Sequence, residues 1–204
     1  MAVLETQFLI LKRTPYREGD WILAGISPDY GKISVIIRNG RKAEDGMYPE
    51  ADIFREFDME YSMPENSELG NVRSLELIAD ASGVADDPEA FRFAGAIASF
   101  ALANSAPEVG LPLSYDVLRN IMLDCAQCKE NRIWSREEAS ALLKLTWLTE
   151  NGLLPDPGKN ADFLENVIDC GVNGDAMPET RPGYWRDLGN YLNSLIKQAN
   201  LRWN

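Results

Sequence analysis

Residues 12–42 read KRTPYREGDWILAGISPDYGKISVIIRNGRK and carry a positive charge that the rest of the chain lacks. The stretch holds seven basic and three acidic residues, while the whole chain of 204 residues has a formal net charge of −12. Basic side chains attract phosphate, and aromatic rings stack on unpaired bases, which contributes about 1–3 kcal/mol per base. The stretch is therefore a candidate nucleic-acid-binding segment. The alternative is that a small β-domain displays these charges on an ordinary solvated face.

Two sets of side chains in this stretch are candidates for contact with DNA. The basic candidates for phosphate contact are Lys12, Arg13, Arg17, Lys32, Arg38, Arg41 and Lys42. The aromatic candidates for base stacking are Tyr16, Trp21 and Tyr30. Binding through both sets combines neutralisation of the DNA backbone with stacking that tolerates any base sequence.

The candidate segment lies within a series of short strands. Alternating and apolar patterns predict five of them, over residues 4–14, 21–27, 32–38, 54–61 and 72–79. Turn residues separate the strands; between the second and third, for example, Pro28 presets φ and Gly31 tolerates positive φ. Because strand side chains alternate, Lys32 and Arg38 are expected on the same side of the sheet. Five short strands in fewer than 80 residues indicate a small barrel.

From Asp86 onward the apolar residues recur at helical spacing. A cap at Asp87 followed by Pro88 predicts the first helix, to about residue 103, and Ser135 with Glu138 forms a capping box. The other predicted helices open at Ser114, span residues 161–169 and follow Pro182. The predicted fold class is α+β, with a five-stranded barrel in residues 1–80 and an all-α domain in residues 81–204.

Composition excludes several classes of function. The chain contains no histidine, which excludes Ser-His-Asp and Cys-His catalysis and zinc sites that use histidine. Its apolar runs fall short of the ~20 residues that span a bilayer, so no membrane association is expected. Three cysteines are too few for a disulfide framework and indicate a reducing cytoplasm. No residue constellation supports an enzyme, and no cofactor is predicted.

The cysteines were the strongest candidates for a metal site. Cys125 and Cys128 have the spacing of half a zinc site, and Cys170 offers a third ligand. Structural zinc is nearly always held by four such ligands, and the chain has no fourth. Cys125 also continues an apolar helical stripe, so we predict that it packs in the core and that no metal is bound.

Two motifs in the opening stretch carry a resemblance to a known family. Residues 12–20, KRTPYREGD, followed by residues 27–35, SPDYGKISV, resemble the amino-terminal OB-fold of the bacterial RecO family of DNA repair proteins. The resemblance implies an OB barrel that binds single- and double-stranded DNA, promotes strand annealing and assists recombinase loading. It also implies a helical domain after the barrel and a cytoplasmic protein associated with the nucleoid.

The chain departs from the family pattern in two places. Between Glu44 and Asp80 there are eleven acids and two arginines, where such a domain usually carries further basic residues. We also expect the four-cysteine zinc loop found in many RecO-family proteins to be lost or reduced, because the matching region contains only Cys170. We therefore expect weak or partner-dependent DNA binding. The alternative function is an acidic protein-interaction scaffold whose barrel has lost useful DNA contact.

The resemblance further implies two protein partners, a RecR-type protein and the C-terminal tail of the single-stranded-DNA-binding protein. That tail is acidic and ends in an apolar residue, so its receiver needs an apolar pocket rimmed by cations. Arg132, Arg136 and Lys144, near the start and middle of the third helix, are the predicted rim. The alternative is that these three cations are ordinary solvated charges.

Overall fold

The computed structural model describes residues 3–40, 51–65 and 67–202. Its first part is a closed five-stranded barrel with strand order β1-β2-β3-β5-β4. The strands are β1 (Val3–Tyr16), β2 (Asp20–Ser27), β3 (Gly31–Ile37), β4 (Arg55–Ser62) and β5 (Gly70–Asp80). The predicted barrel is confirmed, and each strand falls within two residues of its predicted position.

The barrel closes because β1 is long enough to pair with two neighbours. Its first half pairs with β4 and its second half with β2, and the register shifts between Ile10 and Lys12, where the two halves meet. Pairing between β3 and β5 is parallel and short, Val35 with Gly70 and Ile36 with Asn71. Side chains of alternate residues, including Phe8, fill the interior.

Five α-helices follow the barrel, as the sequence predicted. They are α1 (Pro88–Asn104), α2 (Pro112–Cys125), α3 (Arg136–Glu150), α4 (Ala161–Asn173) and α5 (Tyr184–Gln198). The Asp87 carboxylate accepts a hydrogen bond from the Glu89 amide, and Ser135 and Glu138 form the predicted capping box. The second helix begins two residues before Ser114, because Pro112 takes the first helical position.

The helices pack directly onto the outside of the barrel. Leu9, Leu11 and Ile26 from the strands, together with Phe54, belong to the same continuous apolar core as the helices. Alternation along β1 serves both sides, because Phe8 and Ile10 point into the barrel while Leu9 and Leu11 pack against the helices. The helices thus bury one outer face of the barrel and leave the rest open. The division of the chain into domains 1–80 and 81–204 stays a prediction.

Candidate nucleic-acid interface

One end of the barrel gathers several of the predicted DNA-binding side chains. We define this basic end by Arg13, Tyr16, Arg17, Trp21 and Arg38. The β1–β2 turn and the end of β3 meet there, because Tyr16 pairs with Asp20 and the Asp20 carboxylate accepts a hydrogen bond from the Asn39 amide at 2.9 Å. Asn39 has a φ of 55°, and this hydrogen bond helps to hold that turn. Two segments 20 residues apart in sequence thereby present arginines at one place.

Two arginines at the basic end lie against aromatic rings. The Arg13 guanidinium lies 4.5 Å from the centre of the Trp21 ring, and that of Arg17 lies 5.1 Å from the centre of the Tyr16 ring. Such cation–π contacts contribute about 0.5–1 kcal/mol at exposed sites. They orient the guanidinium groups in the unbound protein. A base that stacks on the same ring face must displace the arginine.

The arginines of the basic end differ in exposure. Arg13 is half-buried, lies 3.1 Å from the Asp52 carboxylate and donates a hydrogen bond to the Ala51 carbonyl. Arg17 and Arg38 are exposed, and the Arg38 guanidinium donates a hydrogen bond to the neutral side-chain oxygen of Asn71 at 3.5 Å. Because their guanidinium groups face solvent, Arg17 and Arg38 are the better-placed phosphate ligands.

Lys32 and Tyr30 lie away from the basic end, whereas Lys12 lies at its margin, directly before Arg13 in β1. Lys12 is exposed on β1, four residues before Tyr16 and so about 13 Å along the strand. Lys32 is the second residue of β3, about 20 Å along the strand direction from Arg38. The expected alternation along β3 holds, since Ile33, Val35 and Ile37 fill the barrel, but the two cations occupy opposite ends. Arg41 and Lys42 lie outside the described residues.

Tyr30 and Lys32 line a cleft of about 860 Å³ at the other end of the barrel. Three carboxylates share its lining with them, those of Asp29, Glu68 and Glu108. Lys32 is therefore the minority charge in its surroundings, unlike Arg17 and Arg38. The sequence grouped Lys32 with the other cations, whereas the fold places it among acids.

A third surface of the barrel is acidic and faces away from its interior. Glu5 on β1 lies directly opposite Glu60 on β4, and Asp58 on β4 lies opposite Glu76 on β5. These four residues define the acidic face. Like charges directly opposite one another repel, and the same charges repel the phosphates of DNA. DNA bound to the barrel therefore has to avoid this side.

The cations predicted to receive a partner's tail are engaged within the protein. Arg132 donates a hydrogen bond to the Asp87 carboxylate at 2.9 Å, and Arg136 donates one to Glu89 at 2.8 Å. The hydrogen bond from Arg132, with one from the Glu89 amide, lowers the pKa of Asp87 to about 2. Both arginines thus tie the start of α3 to the start of α1.

Lys144 lies two turns further along α3, about 12 Å from Arg136 along the helix axis. Its side chain is only 4% exposed, and burial lowers its pKa to about 8. Lys144 is therefore part of the packed interior of the helical layer and does not extend a surface rim. The tail-binding role of the three residues stays a prediction.

The cysteines occupy three different environments. Cys125 is buried in the core, as predicted, and burial raises the pKa of its thiol to about 11. Cys128 is exposed and Cys170 is half-buried, and all three are free thiols. Within the described ranges, no group of three or more His, Cys, Asp or Glu side chains is placed to hold a metal ion.

The family of the barrel follows from its sequence together with this architecture. Residues 1–81 match the family model described as Recombination protein O N terminal. The barrel belongs to the RecO family. The match ends one residue after β5, so it covers the closed barrel and stops before the helices. No curated protein matches the chain.

A RecO-type amino-terminal domain indicates a role in DNA repair and recombination. The OB-like barrel agrees with that family, since its strand order and closure are those of an OB-fold. Across the part of the chain that the structure describes, no helix is long and apolar enough to cross a bilayer.

Sequence reasoning missed the acids around Lys32 in the RecO-type barrel. Glu68 precedes β5 and Glu108 lies between α1 and α2, so they are 36 and 76 residues from Lys32. Neither residue lies in a motif, and Glu108 stands between Pro107 and Gly110 in a segment that reads only as a helix break. Only the folded chain brings these carboxylates together.

Proposed function

We propose that this protein is a non-enzymatic mediator of recombinational DNA repair whose RecO-type barrel binds DNA at the basic end. Bound strands are brought together for annealing, and the protein assists recombinase loading. Its partners in this role are a RecR-type protein and the C-terminal tail of the single-stranded-DNA-binding protein, in the bacterial cytoplasm at the nucleoid. The family match supports the general role, and the finer activities follow from the resemblance.

One observation carries the proposed DNA contact. Arg17 and Arg38 are exposed at the same end of a RecO-type barrel, on the two segments that the Asp20 carboxylate joins. Together with Tyr16 and Trp21 they provide cations and aromatic rings on one surface, the combination that binds single strands without sequence preference. Lys12 extends this surface along β1.

The salt dependence of binding to single-stranded oligothymidylate tests the proposal. Each phosphate contact contributes about −0.7 to the slope of log affinity against log salt. About four contacts therefore give a slope near −3, and replacing Arg17 and Arg38 together by alanine should flatten it by about 1.4. Fluorescence anisotropy of a labelled oligonucleotide over a range of salt concentrations measures both slopes.

Two control variants make the result specific. Replacing Lys129 and Lys159 by alanine removes the same charge from exposed positions beyond the barrel and should leave the slope unchanged. Lys32→Ala should also leave it unchanged, because acids surround Lys32. The proposal fails if the Arg17 and Arg38 variant binds like the Lys129 and Lys159 variant.

The second candidate function is a protein-interaction scaffold. The net charge of −12 and the acidic face, where Glu5 opposes Glu60 and Asp58 opposes Glu76, favour it over general DNA binding. Under this alternative, oligothymidylate does not bind even at low salt. The same titration therefore separates the two functions.

A further inference from the structure

The cleft at the end of the barrel opposite the basic end has a rigid wall. The Glu108 amide donates to the Tyr30 carbonyl at 2.9 Å, the Lys32 amide donates to the Ala106 carbonyl at 3.2 Å, and the Leu111 amide donates to the Pro28 carbonyl at 3.1 Å. These bonds join the segment between α1 and α2 to the β2–β3 turn. The helical part of the chain thereby encloses a site on the barrel.

The close approach of the two segments depends on glycine at the turn. Gly31 has a φ of +61°, and a Cβ atom there would lie 2.2 Å from the Val109 carbonyl oxygen. Gly110 is restricted in the same way, with a Cβ atom 2.7 Å from the Pro28 and Asp29 carbonyl oxygens. Backbone packs on backbone here, so the wall of the cleft is built into the fold.

The side chain of Tyr61 lies inside the barrel and reaches the cleft. Tyr61 is 2% exposed, and its ring meets that of Tyr30 edge to face, with centroids 6.5 Å apart. Its hydroxyl opens onto the cleft and makes no hydrogen bond to any residue that the structure describes. Burial, with the nearby Tyr30 and Glu108, raises the pKa of Tyr61 to about 12. The hydroxyl therefore offers a ligand in the cleft a neutral hydrogen-bond donor and acceptor.

The charges that line the cleft are mainly negative. Glu68 and Glu108 are exposed and form no ion pair with any described residue, and Asp29 accepts a hydrogen bond from the neutral Thr6 hydroxyl. Lys32 is the cation that faces these three carboxylates. The lining thus has an excess of two negative charges, and a phosphate-bearing ligand would be repelled.

We propose that this cleft binds the side chain of an arginine or lysine from a basic segment of a partner protein. The carboxylates of Glu68 and Glu108 attract and accept hydrogen bonds from the cation, and the Tyr61 hydroxyl offers a neutral acceptor. The ring of Tyr30 adds a π surface at the cleft wall, which favours a guanidinium or ammonium group. A volume of about 860 Å³ accommodates such a side chain with part of its backbone.

The neighbouring surface suits the rest of a basic segment. Leu4, which lines the cleft, pairs with Tyr61, and the next pair along the same strands is Glu5 with Glu60. This next pair belongs to the acidic face. A segment with several cations can therefore place one in the cleft and others over the acidic face, which fits the net negative charge of the chain.

Binding of a short labelled peptide of alternating glycine and arginine tests the site. The full-length protein is titrated into the peptide, and fluorescence anisotropy reports the affinity at low salt. Replacing Glu68 and Glu108 together by glutamine keeps their shape and removes two charged acceptors, so affinity should fall about tenfold. A peptide with citrulline in place of arginine keeps the hydrogen-bonding shape without the charge. It should bind the unchanged protein at least as weakly as the arginine peptide binds the Glu68 and Glu108 variant.

A matched pair of substitutions separates the cleft from general charge. Replacing Glu165 and Glu179 by glutamine makes the same change in net charge at exposed positions in the helical part, and affinity should stay within about twofold. Tyr61→Phe removes only the hydroxyl and should weaken binding several-fold. Equal loss in the two paired variants would overturn the proposal. So would lower affinity for oligothymidylate in the Glu68 and Glu108 variant, because that result would assign the cleft to nucleic acid.

Discussion

Glu56 is the side chain that couples the barrel to the helices most directly. It lies on β4, is 2% exposed and accepts hydrogen bonds from two residues of α2. The Tyr115 hydroxyl donates to it at 2.8 Å, and the Arg119 guanidinium donates at 2.6 Å. Arg119 is 35% exposed, so water solvates part of the cation while the anion is buried. A buried charge is tolerated only when it is paired in this way.

Removing the buried carboxylate should therefore destabilise the protein strongly. Glu56→Ala leaves the buried Tyr115 hydroxyl and the Arg119 guanidinium without their acceptor, and we expect a loss of about 3 kcal/mol. Urea unfolding monitored by circular dichroism measures the loss. Asp58→Ala, two residues along the same strand at an exposed position, should change stability by less than about 0.5 kcal/mol. Similar losses in the two variants would contradict a coupling role for Glu56.

At the residue scale, what the sequence could predict depended on how far apart the partners are. The caps at Asp87 and Ser135 were predictable because their backbone partners lie two and three residues away. Glu56 and Tyr115 are 59 residues apart, and no local pattern indicates that the acid is buried. In the sequence Glu56 looks like the exposed partner in an alternating strand, because its neighbour Phe57 fills the barrel.

Among the elements, β4 shows how the same strand serves several surfaces. Phe57, Met59 and Tyr61 point into the barrel, in agreement with the period-two alternation of apolar residues along the strand. On the other side, Asp58 and Glu60 form the acidic face with Glu76 and Glu5. The strand positions were predictable from period-two alternation, because each strand is buried on at least one side. The pairs of acids that face one another were not predictable, because the closure of the barrel determines the register between its strands.

The like-charged pair of Asp58 and Glu76 should cost stability. Glu76→Lys replaces this repulsion with attraction, and a favourable cross-strand pair contributes about 0.2–1 kcal/mol. For a chain of this size we expect the midpoint of thermal unfolding to rise by about 1–3 °C. Differential scanning calorimetry at low salt measures the shift, which added salt should reduce.

The control for Glu76→Lys is Glu165→Lys on α4. It makes the same change in net charge at an exposed position on a helix, where there is no cross-strand neighbour. Its midpoint should move less than that of Glu76→Lys. An equal rise in both variants would show that the overall net charge, and not the strand pair, sets the effect.

The segment between α1 and α2 is the element that the sequence described least well. Pro107, Gly110 and Pro112 predicted only a break between helices. In the structure the break is an ordered connection, because three backbone hydrogen bonds hold it to residues 28–32. These bonds join backbone amides to backbone carbonyls, so the pattern of side chains in the sequence does not indicate them. The connection contributes Ser105, Pro107 and the Glu108 carboxylate to the lining of the acid-lined cleft.

Across the whole molecule, positive and negative side chains lie on separate surfaces. The basic end and the acidic face lie on one small barrel that also forms most of the cleft, although the barrel carries only part of the net charge of −12. The sequence indicated the positive segment correctly as a departure from the overall charge. The sequence could not show that Lys32 and Arg38 differ in their surroundings. They lie about 20 Å apart along β3, and acids from distant segments surround Lys32 only in the folded chain.

The whole molecule also depends on a core that passes from the barrel into the helices. Leu9, Leu11, Ile26 and Phe54 are buried in the core that the helices form, on the outside of the barrel. Burying one such side chain contributes about 1.5–3 kcal/mol, so four of them contribute about 6–12 kcal/mol. That sum is comparable with the total stability of an ordinary domain, about 5–15 kcal/mol. Separating the barrel from the helices should therefore remove most of its stability.

A fragment of residues 1–85 tests this dependence. It keeps the five strands but exposes the four apolar side chains, so we expect it to unfold at much lower urea concentration than the full chain or to aggregate. Urea unfolding followed by tryptophan fluorescence compares the two, since Trp21 lies in the barrel. Adding a fragment of residues 86–204 should restore stability, because it covers the exposed face again. If residues 1–85 alone unfold at the same midpoint as the full chain, the barrel is an independent domain and the shared core contributes little.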